Sequence, residues 1–235
     1  MVASGASTLN QYAERHFDAQ MRRTARRPLA DDRLEPASAL WPGILPSFAG
    51  SVYLAVAVDA LASFLAVLTL AGNLALYTPL KRKTPLCTLV GALPGAMPPL
   101  IGFAAASGRL GFEAWILYLT LFFWQFPHFM AIAWMYREDY SRAGYVVLPR
   151  GEQGERLISL QLLVAAFVLI AVSLSPIMIG GARFAYFVGA SVLSGGFFCY
   201  SARLALRRSN VAARRLLAAS IVYLPLVLFL MMLNK

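Results

Sequence analysis

Seven apolar stretches, each about 20 residues long, constrain this chain more than any other feature; they lie at about 38–57, 60–80, 86–107, 112–135, 157–177, 184–206 and 212–233. A hydrocarbon core about 30 Å thick needs roughly 20 residues of helix to cross it, and every backbone amide inside must find its partner within the protein. The expected fold is therefore all-α, a polytopic transmembrane helix bundle with seven complete spans. With 59% hydrophobic residues, 14% charged and a mean hydropathy of +0.64, the composition excludes an ordinary soluble domain. Nucleic acid is then a poor explanation of the net charge of +10.

The basic residues give the bundle a direction. Of 21 Lys and Arg, 18 fall before the first span, in Lys81–Lys83, between Arg137 and Arg156, and between Arg203 and Arg215. The alternate loops hold only Arg109 and Arg183, with Lys235 at the end, so the loaded side is expected to face the cytoplasm, or the matrix in a mitochondrion. Cys87 and Cys199 lie in different apolar runs without metal-type spacing and are expected to be packing residues. Residues 1–9 show no basic region and no signal peptide. They are expected to be the last third of a helix whose beginning is missing, or a short interfacial lead-in.

Asn10 to Leu29, NQYAERHFDAQMRRTARRPL, is the chief polar stretch in this apolar chain. Asn10, Glu14 and Asp18 stand at i, i+4 and i+8, so on a helix they share one face over about 12 Å. Arg22, Arg23, Arg26 and Arg27 follow, and Pro28 is expected to end the helix at or before Arg27. Such a patch grips a metal or polyanion, or is a solvated helix end with local ion pairs; spacing alone does not choose. Acid-bearing loops (Glu14/Asp18, then Glu138/Asp139) alternate with purely basic ones (Lys81–Lys83, then Arg203–Arg215), which hints at two four-helix halves.

Two spans carry further signals. The third holds Gly91, Gly95 and Gly102 with Pro94, Pro98 and Pro99, and is expected to be kinked, by close helix packing or around a cavity. The fourth places Trp124, Gln125, Pro127 and His128 about two turns from its basic end. A histidine at that depth is either a functional group or a neutral imidazole bonded to a neighbouring helix. The aromatics Phe122, Phe123, Trp124, Phe126, Phe129 and Trp134 fit a packed core, or ring faces that stabilise a carbocation.

Together, NQYAERHFDAQMRRTARRPL, LYTPLKRKTPLCTLVGALPGAMPPLIGFAAASG and FFWQFPHFMAIAWMYREDYSRAGYVVLP resemble the protohaem IX farnesyltransferases, or haem O synthases, a branch of the intramembrane prenyltransferases. The resemblance covers residues 8–149 closely and the last three spans only as apolar helices. It implies one domain over residues 1–235 that lacks the first one or two helices of a nine-helix bundle, in a bacterial inner membrane or mitochondrial inner membrane. It also implies a reaction: the farnesyl group of farnesyl diphosphate is joined to a vinyl group of haem b, giving haem O.

The same resemblance implies Mg²⁺ held by Glu14, Asp18 and Asp139, with Asn10 as a neutral oxygen ligand. Ala143 stands where other branches carry a second acid. Arg23, Arg27, Lys81 and Arg82 are the implied diphosphate clamps, and Tyr77, Tyr140 and Arg142 complete the substrate-binding set. His128 matches a Pro-His-Phe motif and is the candidate for haem contact or proton handling. The expected partners are farnesyl diphosphate, haem b and membrane lipid, with haem A synthase or terminal-oxidase assembly proteins beyond them. Three other readings stand beside this one: a transporter, a non-catalytic haem- or lipid-binding assembly factor, and a prenyltransferase with an aromatic acceptor. One-sided charge argues against the transporter, since of the opposite loops only Asp59 carries a strong polar signal.

Overall fold

The computed structural model describes residues 1–148, 151–178 and 184–234, and all regular structure among them is helical. Among the described residues seven helices are long and apolar enough to cross a membrane: Pro36–Val58, Ala60–Leu80, Cys87–Ser107, Phe112–Met135, Gly151–Ile177, Phe184–Arg207 and Asn210–Leu233. The expected spans coincide with them within a few residues. The largest difference is at the fifth, where the helix begins at Gly151, because backbone hydrogen bonding continues through the polar turn Glu152–Arg156 that hydropathy leaves out. Arg150, Arg183 and Lys235 lie outside the described residues.

Large apolar side chains point outward along these helices; Val56 is 83% exposed, Leu206 82% and Phe48 69%. In water such a surface would aggregate, whereas in lipid tails it is at rest. The protein is an integral membrane protein.

The chain divides into two compact units, Met1–Gly111 with Tyr136–Val147, and Phe112–Met135 with Leu148–Lys235. In the first, α1 (Val2–Asp18) lies along α2 (Pro36–Tyr53). Small residues make this possible. A Cβ at Gly5 would overlap Ser47 Oγ and the Gly43 carbonyl, and one at Gly50 would come within 2.9 Å of Met1 and Val2. Residues 2–9 are thus part of a continuous, packed helix.

The second span runs as α3 (Ala60–Ala71), a π-helical turn over Gly72–Tyr77, and α4 (Thr78–Leu80). The third breaks, as expected, into α5 (Cys87–Gly95) and α6 (Pro98–Ser107). Pro98 and Pro99 have no N–H for the preceding turn, and each disfavours helical geometry in the residue before it. Asp59, the polar exception among the opposite loops, caps α3 by accepting from the Ala62 amide at 3.0 Å.

The second unit packs α7 (Phe112–Met135), α9 (Gly151–Met178), α10 (Phe184–Arg207) and α11 (Asn210–Leu233) around Leu162, Leu169, Phe197, Leu216 and Tyr223. Phe123, Trp124 and Trp134 pack against this core, as the bland reading of the aromatic run expected. Hydroxyls pair inside it: Tyr186 donates to the Ser173 carbonyl at 2.6 Å, and Ser173 Oγ meets the Tyr223 hydroxyl at 2.5 Å. Cys87 is buried as expected, but Cys199 lies on the exposed face of α10. A thiol is small and apolar enough to face lipid as readily as a core.

Candidate functional site: a charged rim above an apolar cavity

The polar rim forms within the first unit. Asn10, Glu14 and Asp18 share one face of α1, and Glu14 and Asp18 are buried, at 5% and 2% exposure. Asn10 Nδ2 donates to Glu14 Oε2 at 3.1 Å, and Lys81 Nζ donates to Glu14 Oε1 at 2.7 Å. Thr78 Oγ1 lies 3.0 Å from Asn10 Oδ1 and 2.9 Å from the Asn73 carbonyl, and shares its one proton between them. Lys81 and Thr78 are nearly seventy residues downstream, so these pairs are tertiary, unlike the local helix pairs that spacing allowed.

The arginine run is not helical. α1 stops at Asp18, ten residues before Pro28, and the chain turns back, with Thr24 Oγ1 donating to the Asp18 carbonyl at 2.9 Å. The proline therefore does not end this helix; that side-chain bond and the backbone turns through Arg27 do. On a continuous helix Arg27 would lie roughly 180° around from Asp18. The turn instead brings Arg27 Nη1 to Asp18 Oδ2 at 2.7 Å.

A short helix completes the rim. α8 (Arg137–Arg142) carries Asp139, buried, with Arg142 Nη1 at 3.6 Å from Asp139 Oδ1. It ends in a Schellman turn: Gly144 takes φ +71°, its N–H bonds the Ser141 carbonyl, and the Tyr145 N–H bonds the Tyr140 carbonyl at 2.9 Å. Val146 N–H then reaches the Lys81 carbonyl at 2.8 Å, tying this loop to the Lys81 loop. Ala143 is buried with Met21 and Tyr145 in a small apolar cluster, so a carboxylate at that position would have been placed among apolar groups.

Aromatic faces hold the cations. Lys81 Nζ lies 4.4 Å from the Tyr77 ring centre and 5.9 Å from that of Tyr145; the Arg82 guanidinium lies 4.5 Å over Phe17, and that of Arg23 5.2 Å over Tyr136. Phe17, Tyr136 and Tyr145 are residues that sequence reasoning missed. Their signal was position: each is an aromatic beside a charged motif on the loaded side. Burial, and then the charges of Glu14 and Asp18, hold the Tyr145 phenol well above the ordinary tyrosine range.

The donor set fits a hard divalent cation in type. Asp18 Oδ1 and Asp139 Oδ2 make no bond among the described residues, and carboxylate oxygens are the ligands Mg²⁺ prefers. Among the described residues no three His, Cys, Asp or Glu side chains converge on one point. A metal here would complete its shell with oxygens from a phosphate.

A cavity of about 840 Å³ opens along α1 in the same unit. Asn10 and Tyr77 line it at the rim, and Met1, Val2, Tyr53, Leu54, Ile101 and Gly102 line it farther along. From Asn10 to Met1 the helix rises about 13 Å. The kinked third span thus serves both purposes that its sequence allowed: Gly102 and Pro98 line the cavity, while Gly91 admits the Tyr77 ring, to which a Cβ would come within 2.5 Å.

His128 belongs to the second unit. Its Nδ1 lies 2.7 Å from Ser220 Oγ, and its ring stacks on Trp124 at 4.7 Å. Ser220 Oγ donates to the Leu217 carbonyl at 2.6 Å, which uses its only proton. With that bond kept, Nδ1 is the donor, and in the neutral ring Nε2 keeps its lone pair. Trp124 Nε1 donates to the Ser220 carbonyl at 2.9 Å, so both side chains clamp one turn of α11. Ser220, the one serine in the run LLAASIVYL, gave no signal in sequence beyond its polarity.

Comparisons with known proteins agree with this architecture. Over all of its length the chain is 48% identical to the protoheme IX farnesyltransferase of Solibacter usitatus, covering 80% of that protein, and 40% identical to that of Koribacter versatilis, covering 78%. An apo structure of a UbiA homolog from Aeropyrum pernix K1 shares the fold, with a TM-score of 0.70 over 98% of this chain and 86% of that one at 19% identity. The model of the UbiA prenyltransferase family matches residues 1–232, and with such relatives along its whole length the chain belongs to that family.

Proposed function

We propose that this chain is a protohaem IX farnesyltransferase, which joins the farnesyl group of farnesyl diphosphate to a vinyl group of haem b, with addition of water, to give haem O. The observation that carries the reading is the junction of rim and cavity, since Asn10 and Tyr77 belong to both. A polyanionic head and an apolar tail on one molecule fit such a junction, and the cavity lies within the roughly 300–1,000 Å³ of ordinary small-molecule sites. The haem acceptor follows from the relatives' names.

Breaking the allylic C–O bond sends the electron pair to diphosphate, so the rim's task is to hold negative charge. Lys81 and Arg27, each fixed by a carboxylate, meet the phosphate oxygens in a set orientation, and Arg23, Arg82 and Arg142 add positive potential. Mg²⁺, held by Glu14, Asp18 and Asp139, would neutralise the departing diphosphate. In the second unit, the tautomer set by Ser220 leaves His128 Nε2 able to accept a proton or to touch haem. Haem O carries a long apolar chain, so a membrane-bound haem A synthase or a terminal-oxidase assembly protein is the fitting recipient.

Membranes carrying the chain, given farnesyl diphosphate and haem b, are expected to form haem O in Mg²⁺ and to stop in excess chelator. Full activity in chelator removes the metal, and no haem O removes the reading. The rim is expected to face the cytoplasm or matrix of an inner membrane. A tag within Lys81–Lys83 should be labelled from that face and one at Gly108–Arg109 or Gly180–Gly181 from the other, the last pair lying outside the described residues. Labelling of all from one side shows that the span count is wrong by an odd number.

A further inference from the structure

Among the described residues, Tyr145 Oη is the one side-chain polar atom wholly closed to solvent that has no hydrogen-bond partner. Native interiors rarely leave a hydroxyl so placed, because desolvating it without a partner is costly. Tyr145 is 7% exposed and held on several sides. The Schellman turn at Gly144 sets its backbone, the Val146–Lys81 bond fixes the next residue, and the rings of Phe17 and Tyr140 stand 5.8 and 6.0 Å from its own. Ring packing alone would be met by phenylalanine. The ring sits among the rim residues: Lys81 Nζ lies 5.9 Å from its centre, and Glu14, Asp18, Tyr140 and Tyr77 are within electrostatic reach of the phenol.

Resting on the prenyltransferase reading, we infer that Tyr145 is a further substrate-contacting residue, whose Oη–H donates a hydrogen bond to a non-bridging oxygen of the diphosphate gathered by Lys81 and Arg27. A phenol suits this position. It adds a donor without adding charge to a rim where Lys81 and Arg27 are already paired with carboxylates, and its rigid ring needs little ordering on binding. The bond strengthens as the C–O bond breaks and negative charge moves onto the diphosphate, so it assists departure as well as binding.

The test compares wild type with Tyr145→Phe, both purified in the same detergent, using inorganic diphosphate with Mg²⁺ as the probe and haem O formation as a second readout. The variant keeps the ring, its contacts with Phe17 and Tyr140, and its face towards Lys81. Expected is an unliganded melting temperature equal to or above wild type, since an unpaired buried hydroxyl is gone. Diphosphate affinity should fall roughly 10- to 100-fold, as for one hydrogen bond to a charged acceptor, and kcat should fall with it. Diphosphate affinity and kcat within twofold of wild type overturn the inference. So does a lowered melting temperature without ligand, which would show that the hydroxyl serves the fold. A wild type that binds diphosphate but makes no haem O overturns the proposed function alone, and the affinity comparison still decides Tyr145.

Discussion

Asp18→Ala is expected to lower haem O formation on the order of 10³-fold while the protein still inserts into the membrane, an effect of the size seen when preorganised charge stabilisation is removed from an active site. Asp18 ends α1 at 2% exposure; one oxygen is bound to Arg27 and the other makes no bond among the described residues. The substitution removes a carboxylate ligand and also releases the guanidinium that it orients. The structural cost is modest. Loss of one partner of a buried pair costs about 3–5 kcal/mol, but Arg27 is 37% exposed and solvent screening reduces this to about 1–2 kcal/mol.

Asp18→Asn separates the two roles. It keeps the shape and a hydrogen bond to Arg27 but loses the charge, so it should remain folded, stay nearly inactive, and need more Mg²⁺ for half-maximal rate. Asp139→Ala should behave likewise, its partner Arg142 being 44% exposed and easily resolvated. Haem O yield per inserted protein, measured over a Mg²⁺ series, is the readout. Wild-type activity in either variant, or an unchanged Mg²⁺ midpoint in Asp18→Asn, removes the ligand assignment.

His128→Ala is expected to lower haem O formation by about 10²–10⁴-fold, the range for a positioned acid–base group, while affinity for farnesyl diphosphate stays within a few-fold of wild type. The second result follows because the rim and cavity belong to the first unit, and His128 bonds to Ser220 within the second. The rival account is structural, since the His128–Ser220 bond and the Trp124 clamp hold α7 against α11. His128→Gln decides between them: its amide can still donate to Ser220 Oγ, but it offers no ring nitrogen that accepts a proton or binds iron. Near-normal haem O yield from the Gln variant retires the chemical role. Loss of farnesyl diphosphate affinity in the Ala variant indicates instead that the fold has been disturbed as a whole.

Much of this protein was legible in the sequence, for reasons particular to membranes. Lipid cannot satisfy a backbone amide, so an apolar run of sufficient length has helix as its outcome, and the seven spans could be placed to within a few residues except at the start of the fifth. The i, i+4, i+8 spacing put Asn10, Glu14 and Asp18 on one face for the same geometric reason, and Pro98 and Pro99 had to break the third span. Partnership was not legible. That Lys81 neutralises Glu14, that a turn after Asp18 carries Arg27 back to it, and that Thr78 holds Asn10 depend on contacts between distant segments, which no local period encodes. Tyr145 shows the difference most clearly. In the sequence it is an aromatic in a loop; only a positive φ at Gly144, a backbone bond to Lys81 and the packing of Phe17 and Tyr140 turn it into a buried hydroxyl beside two carboxylates. Periodicity is a property of one helix, so sequence determined the helices and their polar faces, whereas pairing across a bundle is a property of packing and was decided by the tertiary structure.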